Sequence, residues 1–513
     1  MEKLLLVNQE DKVIGTRSKQ ECHQGGGLMH RAFSVYIFNS KGELLIQQRS
    51  KDKPLWPWYW SNSCCSHPVS GESYIEAGEE RLKEELGFTC PLRSVDQFHY
   101  RAKYKDVGSE NELVTLLIGV YDGEVEPNPE EVKEYKWMGL EELEKDIREN
   151  PGQYSPWFRK GLKRYLRIKK KKDQKKKELM KLLQTIAAKA DPLMENLLET
   201  HIEKKFYDLV THQVATGGKR LRPALTMIAG KMMGGREKDL LHPAVGTEIL
   251  HNSTLITDDI IDHSEVRRGK PTVWKQFGRS VAECAGVHYT ATVYLTASNS
   301  PDPKRVTDIF TKALKTVVDG EIYDILFEQK GREDEPYIYK NRYRNVSLQS
   351  YYKMVGKKTA SLLESCCELG GVCAGAPEKD LKNLKKYGYN LGIAFQIQDD
   401  ILDIFGDQKE FGKKIGKDIE ERKLGNVVIF YAIQSLSKTK KDKILKILRK
   451  KDISDRDIQE AIELIKQTSA RRKAFHLGEK YAQKAKESLE KLPQNKWNQY
   501  LHTLADFTIE RKK

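Results

Sequence analysis

Apolar residues recur along this chain in two rhythms. In the first, MEKLLLV, AFSVYIFN, ELLIQQ and LVTLLIGVY are short runs bounded by polar or turn residues, Ser40-Lys41-Gly42 among them, and each predicts a β-strand. Between them ESYIEAGEERLKEELG has helical spacing and a terminal Gly87, which predicts a helix with a glycine C-cap. After RIKKKKDQKKK the rhythm lengthens. The stretch ELMKLLQTIAAKADPLMENLLETHIEKKF and the run from Ser347 to Cys373 repeat at helical period with few strand signals. The pattern predicts an α/β domain over residues 1–165, a lysine-rich linker or exposed helix start over 166–178, and an all-α domain over 179–513. Two domains also suit a chain of 513 residues, too long for one ordinary core.

Composition narrows the class. No apolar run approaches the ~20 residues of a membrane-spanning helix, and the apolar start of the chain turns polar too soon for a secretory signal. A cytoplasmic protein is expected. The eight cysteines include two adjacent pairs and no CxxC, so neither a disulfide framework nor a zinc ribbon is expected. The net charge of +15 raises nucleic acid as a partner, but its location argues against that: Arg159 to Lys181 holds thirteen Lys or Arg against two acids. The excess belongs to one segment.

Two groups of residues carry chemistry. In the first half, His23, His30, His67, Glu110 and Glu112 are three imidazoles and two carboxylates, a donor set that suits a divalent ion with mixed nitrogen and oxygen ligands. In the second half, LITDDIID and FQIQDDILDIFGD place Asp258 with Asp262, and Asp399 with Asp403, four residues apart, on one face of a helix each. Carboxylates in so apolar a setting call for a bound cation.

From Lys19 to Trp157 the motifs KQECHQGGGLMHRAF, QQRSKDKPLWPWYWSNSCCSHP, GESYIEAGEERLKEELG, HYRA, ENE and SPW follow in order, and the stretch resembles the type 1 isopentenyl diphosphate isomerases. The resemblance implies a Nudix-like α/β sandwich. Glu72, Leu82, Glu84, Glu85, Gly87 and Phe88 match a Nudix box, but Ser66 replaces its opening glycine and Glu80-Arg81 inverts its usual order, so pyrophosphate hydrolysis is not expected. The implied reaction shifts a double bond by adding one proton and removing another. Carry-over puts Cys65 on one face of the substrate and Glu112, beside Tyr100, on the other. It makes Glu112 also a metal ligand with His23, His30, His67 and Glu110. Trp157 and Trp60 would shelter a carbocation. Lys19, Arg49, Lys53 and Arg81 would grip the diphosphate, with Glu85 holding magnesium on it. Zn2+ or Mn2+ also suits the His/Glu centre.

From about Lys181 onward, GGKRLRP, RRGKPT and GKKIGKD surround the two aspartate clusters, and the segment resembles the trans-prenyl diphosphate synthases. The implied fold is an all-α isoprenoid synthase helical bundle, expected to form homo-oligomers. The implied chemistry is ionisation of an allylic diphosphate, helped by Mg2+, and attack by isopentenyl diphosphate. Carry-over assigns the metal and allylic diphosphate to Asp258, Asp259, Asp262, Asp399 and Asp403 with Arg267, Lys358 and Lys414, and Lys423 as a further phosphate-side residue. Isopentenyl diphosphate falls to Lys219, Arg222, His251 and Arg268, with Gln396 closing the site. Two departures stand out: Leu424-Gly425-Asn426 replaces Thr-Leu-Pro, and Val287-His288 replaces Gly-Asp.

Together the halves imply an enzyme that makes dimethylallyl diphosphate from isopentenyl diphosphate and then elongates it. Small Ser253 and Thr254 before Asp258, with Tyr294 as a deeper floor, point to a twenty-carbon geranylgeranyl product. A farnesyl or longer product, and a terpene cyclase in the second half, are the alternatives; GGKRLRP and RRGKPT argue against the cyclase. A decayed non-catalytic domain, or a basic segment that binds anionic membrane, is a third reading.

Overall fold

The structure, a computed structural model, describes residues 3–406 and 415–511. The chain divides into two compact units, Met1–Asp173 and Gln174–Lys513. No helix among the described residues is long and apolar enough to cross a membrane.

The first unit is a curled mixed sheet. Its strands are β1 (Lys3–Val7), β2 (Val13–Ser18), β3 (His30–Phe38), β4 (Leu44–Arg49), β5 (Trp60–Ser61), β6 (Cys64–Ser66), β7 (Leu92–Tyr104), β8 (Gly108–Val120) and β9 (Val132–Met138). β3 and β8 run parallel along their length, from His30↔Glu112 to Phe38↔Val120, and β6 adds to β3 with Cys65 opposite Ser34. Alternation then sorts the sheet into two faces. Phe33, Val35, Ile37 and Leu45 pack with α2 (Tyr74–Leu86), and Ala32, Tyr36, Leu44 and Ile46 pack with Trp157 and Phe158. The second group shares its face with His30, Ser34 and Cys65. The expected strands and the helix ending at Gly87 are all present.

The boundary between the units lies inside one helix, Pro156–Glu199. The lysine run is therefore exposed helix and not a loop, as like charges that resist burial can be satisfied on a solvated helical surface.

The second unit is helical. α7 (Glu237–Ile261) and α14 (Glu378–Phe405) carry the aspartate clusters. Around them stand α9 (Arg279–Ser298), α10 (Pro303–Leu326) and α13 (Ser361–Cys373). The segment Gly356–Ala360 is one turn of π-helix, a form frequent at functional sites. α10 touches it through Gly320, where a Cβ would lie 2.2 Å from the Lys358 backbone nitrogen. Both departures from the family pattern have local explanations. Asn426 caps the helix Val427–Ser435 through the Val428 and Ile429 N–H groups, and its amide donates to Asp418 at 2.8 Å. His288 donates to Leu198 O at 2.7 Å, while Val287 faces out.

Candidate active sites

In the first unit, strand register assembles one site. His30 and Glu112 are paired across β3 and β8, Tyr100 pairs with Glu112 across β7, and His67 follows Cys65 by two residues, so all five side chains share a face. Ligand atoms of His23, His30, His67 and Glu112 lie within 4.8 Å of one another. His67 Nε2 stands 3.0 Å from Glu112 Oε1, Tyr100 donates to Glu112 Oε2 at 2.7 Å, and His23 Nε2 stands 2.9 Å from Glu110. The other ring nitrogens are committed: His23 Nδ1 donates to Lys19 O at 2.6 Å and His30 Nδ1 to Leu28 O at 2.7 Å. Backbone carbonyls thus hold Nδ1 of His23 and His30 and turn their Nε2 atoms toward the carboxylates, the arrangement usual for metal-binding imidazoles. His30 Nε2 is buried without a hydrogen-bond partner. The donor set and this orphaned nitrogen fit a divalent ion.

Charge is tuned by burial. Burial lowers His67 to about 4. It would raise Glu112, but the imidazoles of His30 and His67 outweigh it and hold that carboxyl well below its usual range. Cys65 donates to Asn62 Oδ1 at 3.1 Å, with Ser34 Oγ at 3.5 Å, and burial pushes its thiol up to about 12. It is a thiol, not a thiolate. Trp157 donates to Ser61 and lies against Tyr100, with ring centroids 6.4 Å apart. The face of Trp60 is taken by Lys136, 4.4 Å from its centroid.

Three of the four basic residues expected at the diphosphate are already engaged by protein groups. Lys53 and Arg81 both hold Glu131, and Arg81 also binds Glu85, which accepts from Gln47 at 2.7 Å. Arg49 donates to the Leu55 and Trp56 carbonyls and lies over Trp157, and Lys19 is exposed at the start of its helix. Sequence reasoning missed Asn62, Ser34 and Glu131. Asn62 sat inside the motif already quoted, but no local signal marks the other two.

In the second unit, α7 and α10 face a buried group of opposed charges. Lys358 Nζ bonds both Glu321 and Asp324 at 2.7 Å, and Lys423 Nζ reaches Glu421 at 2.9 Å, Asp324 at 3.1 Å and Asp262 at 3.7 Å. Burial opposes both lysine charges, yet the surrounding carboxylates hold both well above the ordinary value. Burial raises Asp258 and Asp262 as well, and lifts Glu321 to about 7. Glu321 Oε1 is buried without a partner, which together with the crowded acids fits a further cation. Glu321 and Asp324 were not picked out from the sequence, although DGEIYD puts them one helical turn apart.

The remaining expected residues are partly committed. Asp259 is closed on Arg267 at 2.7–3.0 Å, and Asp399 on Arg511 at 2.8 Å. Asp403 accepts from the Lys417 and Asp418 N–H groups. Gln396 links Thr359 to Asp400. Asp258, Asp262, Lys358 and Lys423 therefore come together, while Asp259, Asp399 and Asp403 each face another partner. Lys414 lies outside the described residues. At the other group, His251 is held well below its usual value by burial and by Arg222, Arg268, Arg267 and Arg220. Arg222 Nε is buried without a hydrogen-bond partner in this group, where Glu248 is the nearby carboxylate. Lys219 is exposed on the loop beside it.

The product-length residues divide. Ser253 is buried and Thr254 half-buried on α7. Tyr294 is 46% exposed, so within one chain it is a surface residue of α9 and not the floor expected above. Sequence position could not show which side of α9 turns outward.

A polyprenyl synthetase profile matches residues 203–465, and a NUDIX domain profile matches residues 28–158. The chain is 37% identical over 274 residues to the short chain isoprenyl diphosphate synthase of Methanocaldococcus jannaschii, covering 52% of this chain and 79% of that protein. It is 41% identical over 157 residues to the isopentenyl-diphosphate Delta-isomerase of Serratia proteamaculans, covering 31% of this chain and 87% of that one. Among solved structures it resembles geranylgeranyl pyrophosphate synthetase from Pyrococcus horikoshii, with 31% identity and a TM-score of 0.59 over 66% of this chain and 99% of the other.

Proposed function

We propose, from the premise that this chain belongs to the polyprenyl synthetase family and, over its first unit, to the isopentenyl-diphosphate Delta-isomerases, that it makes geranylgeranyl diphosphate from isopentenyl diphosphate alone. The two activities follow from membership; the product is the proposal. The observation that carries it is the small pair Ser253 and Thr254 on α7, which puts no aromatic ring below Asp258. The likeness to a geranylgeranyl pyrophosphate synthetase supports the same length.

For the isomerase step, Cys65 and Glu112 are the proton-handling pair. Asn62 and Ser34 orient the thiol, while Tyr100 and His67 orient the carboxylate. One adds a proton to the terminal methylene and the other removes one from the neighbouring carbon, so the double bond moves with no net change. An alkene is a poor base, and two groups fixed in place lower the cost of reaching it. The aromatic walls of Trp157 and Tyr100 exclude water from the cation between the two transfers. His23, His30, His67, Glu110 and Glu112 would hold Zn2+, Mn2+ or Mg2+; when bound it supplies a fixed positive charge beside the substrate. Lys19, Arg49, Lys53 and Arg81, with Glu85, remain our assignment for the diphosphate end.

For elongation, Asp258, Asp259, Asp262, Asp399 and Asp403 would hold Mg2+, which when bound neutralises the departing diphosphate. Lys358, Lys423 and Arg267 are already charged and desolvated beside them, ready to exchange carboxylate partners for phosphate oxygens. The cluster of Arg222, Arg268, Lys219 and His251 takes isopentenyl diphosphate, whose double bond attacks the allylic cation left when the carbon–oxygen bond breaks; loss of a proton from the resulting adduct to the released diphosphate restores a double bond. Exposed Val287 and Tyr294 on α9 and Val318 and Ile322 on α10 support association with a second copy. The test is incubation of the purified chain with Mg2+ and isopentenyl diphosphate only, followed by chain-length analysis. A twenty-carbon product is expected. A fifteen-carbon or much longer product overturns the length.

A further inference from the structure

The QGGG segment between His23 and His30 takes no part in the chemistry above, yet its carbonyls are captured one after another by the β7–β8 hairpin. Ser109 Oγ donates to Gly25 O at 2.7 Å, Arg101 Nε and Nη2 to Gly26 O at 2.9 and 2.6 Å, and Asn111 Nδ2 to Gly27 O at 2.9 Å. The next carbonyl, Leu28 O, accepts from His30 Nδ1. His99 Nε2 donates to Asn111 Oδ1 at 2.7 Å and so turns the amide nitrogen toward the loop. Strand alternation makes the arrangement possible. Ser109 and Asn111 project from one side of β8 toward the loop, and Glu110 and Glu112 from the other toward the imidazoles. The fit is close: a Cβ on Gly26 would lie 2.3 Å from Arg101 Nη2, and one on Gly27, at φ +72°, 3.0 Å from Asn111 Cβ.

We infer that Arg101, Ser109 and Asn111 are positioning residues for the His/Glu centre, fastening the loop whose ends carry His23 and His30 so that both Nε2 atoms stay aimed at Glu110 and Glu112. The inference rests on the reading that this cluster holds a divalent ion. Its physical content is the tautomer. If the loop drifts, Leu28 O leaves His30 Nδ1, and the ring loses the carbonyl that fixes both its orientation and the nitrogen that carries the proton. One strand thus supplies carboxylates from one side and holds the imidazole-bearing loop from the other.

The test uses the full chain and Co2+ alone, read by its dissociation constant and its visible absorption spectrum. Arg101→Ala is expected to weaken Co2+ binding about 10–100-fold, the range for lost outer-shell partners, and to shift the spectrum. Arg101→Lys, which keeps a cationic donor but not the two-pronged fork on Gly26 O, recovers part of the affinity and stands in for Arg101→Ala if that variant does not fold. A Cβ at Gly26 displaces the same guanidinium, so Gly26→Ala gives a similar loss and adds little to Arg101→Ala. Additive losses, or wild-type affinity and spectrum in both Arg101 variants, overturn the inference. His67→Ala, which removes a ligand, separates this from the underlying reading. If it binds Co2+ like wild type, the metal centre itself is wrong; if it loses binding while the Arg101 variants keep it, only the positioning role fails.

Discussion

The two sites assemble their candidate metal ligands in opposite ways. In the first unit four ligand atoms converge within 4.8 Å, and three of the four come from imidazoles. An imidazole serves a metal in its neutral form, so three can share one ion without adding charge, and strand register with two backbone carbonyls aims them. In the second unit the acids cannot converge in that way, because like charges removed from water raise one another's pKa or require counter-ions. Asp258 and Asp262 are raised, and Lys358 and Lys423 stand among them bonded to Glu321, Asp324 and Glu421. One site is preformed. The other is balanced by its own lysines.

The sharpest break between them is Cys65→Ala. It is expected to abolish product formation from isopentenyl diphosphate, with full recovery when dimethylallyl diphosphate is added, measured by radiolabel incorporation under both conditions. Failure of rescue would mean that the two sites are not independent. Next is Asp258→Ala, expected to lower elongation by about 10²–10³, as for loss of one preorganised electrostatic contact, while isomerisation stays normal. Near-normal turnover would remove this residue from the metal-binding set.

A smaller effect falls on product length. Ser253→Phe puts a ring on the buried face of α7 and should shift the product below twenty carbons, while Tyr294→Ala, on an exposed face, should change it less. Chromatography of the dephosphorylated products decides, and unchanged length in Ser253→Phe would show that the tail runs elsewhere. The smallest expected effect belongs to Asn426→Ala. Loss of the cap should lower stability by about 0.5–2 kcal/mol, read by denaturant unfolding. An unchanged midpoint would mean that Asn426 matters through its amide, which donates to Asp418 and to the Asp400 carbonyl, and not through the cap.

Alternation and helical period were enough to read strands β1, β3, β4 and β8, the helix ending at Gly87 and the change to an all-α second half. Those patterns follow from which side chains must leave water, and each is local. Motif order likewise pointed to His23, His30, His67 and Glu112, whose ligand atoms converge. Four features depended on tertiary structure. Glu131 meets Lys53 and Arg81 from a distant loop, and Ser34 meets Cys65 only because β6 pairs with β3. Asp259 and Asp399 each face an arginine, one of them from the far end of the chain. Tyr294 faces outward because of how α9 is rotated against its neighbours, a rotation that α9's own residues do not fix. A sequence states which groups can bind or carry charge, whereas their partners are set by elements that meet only when the chain folds.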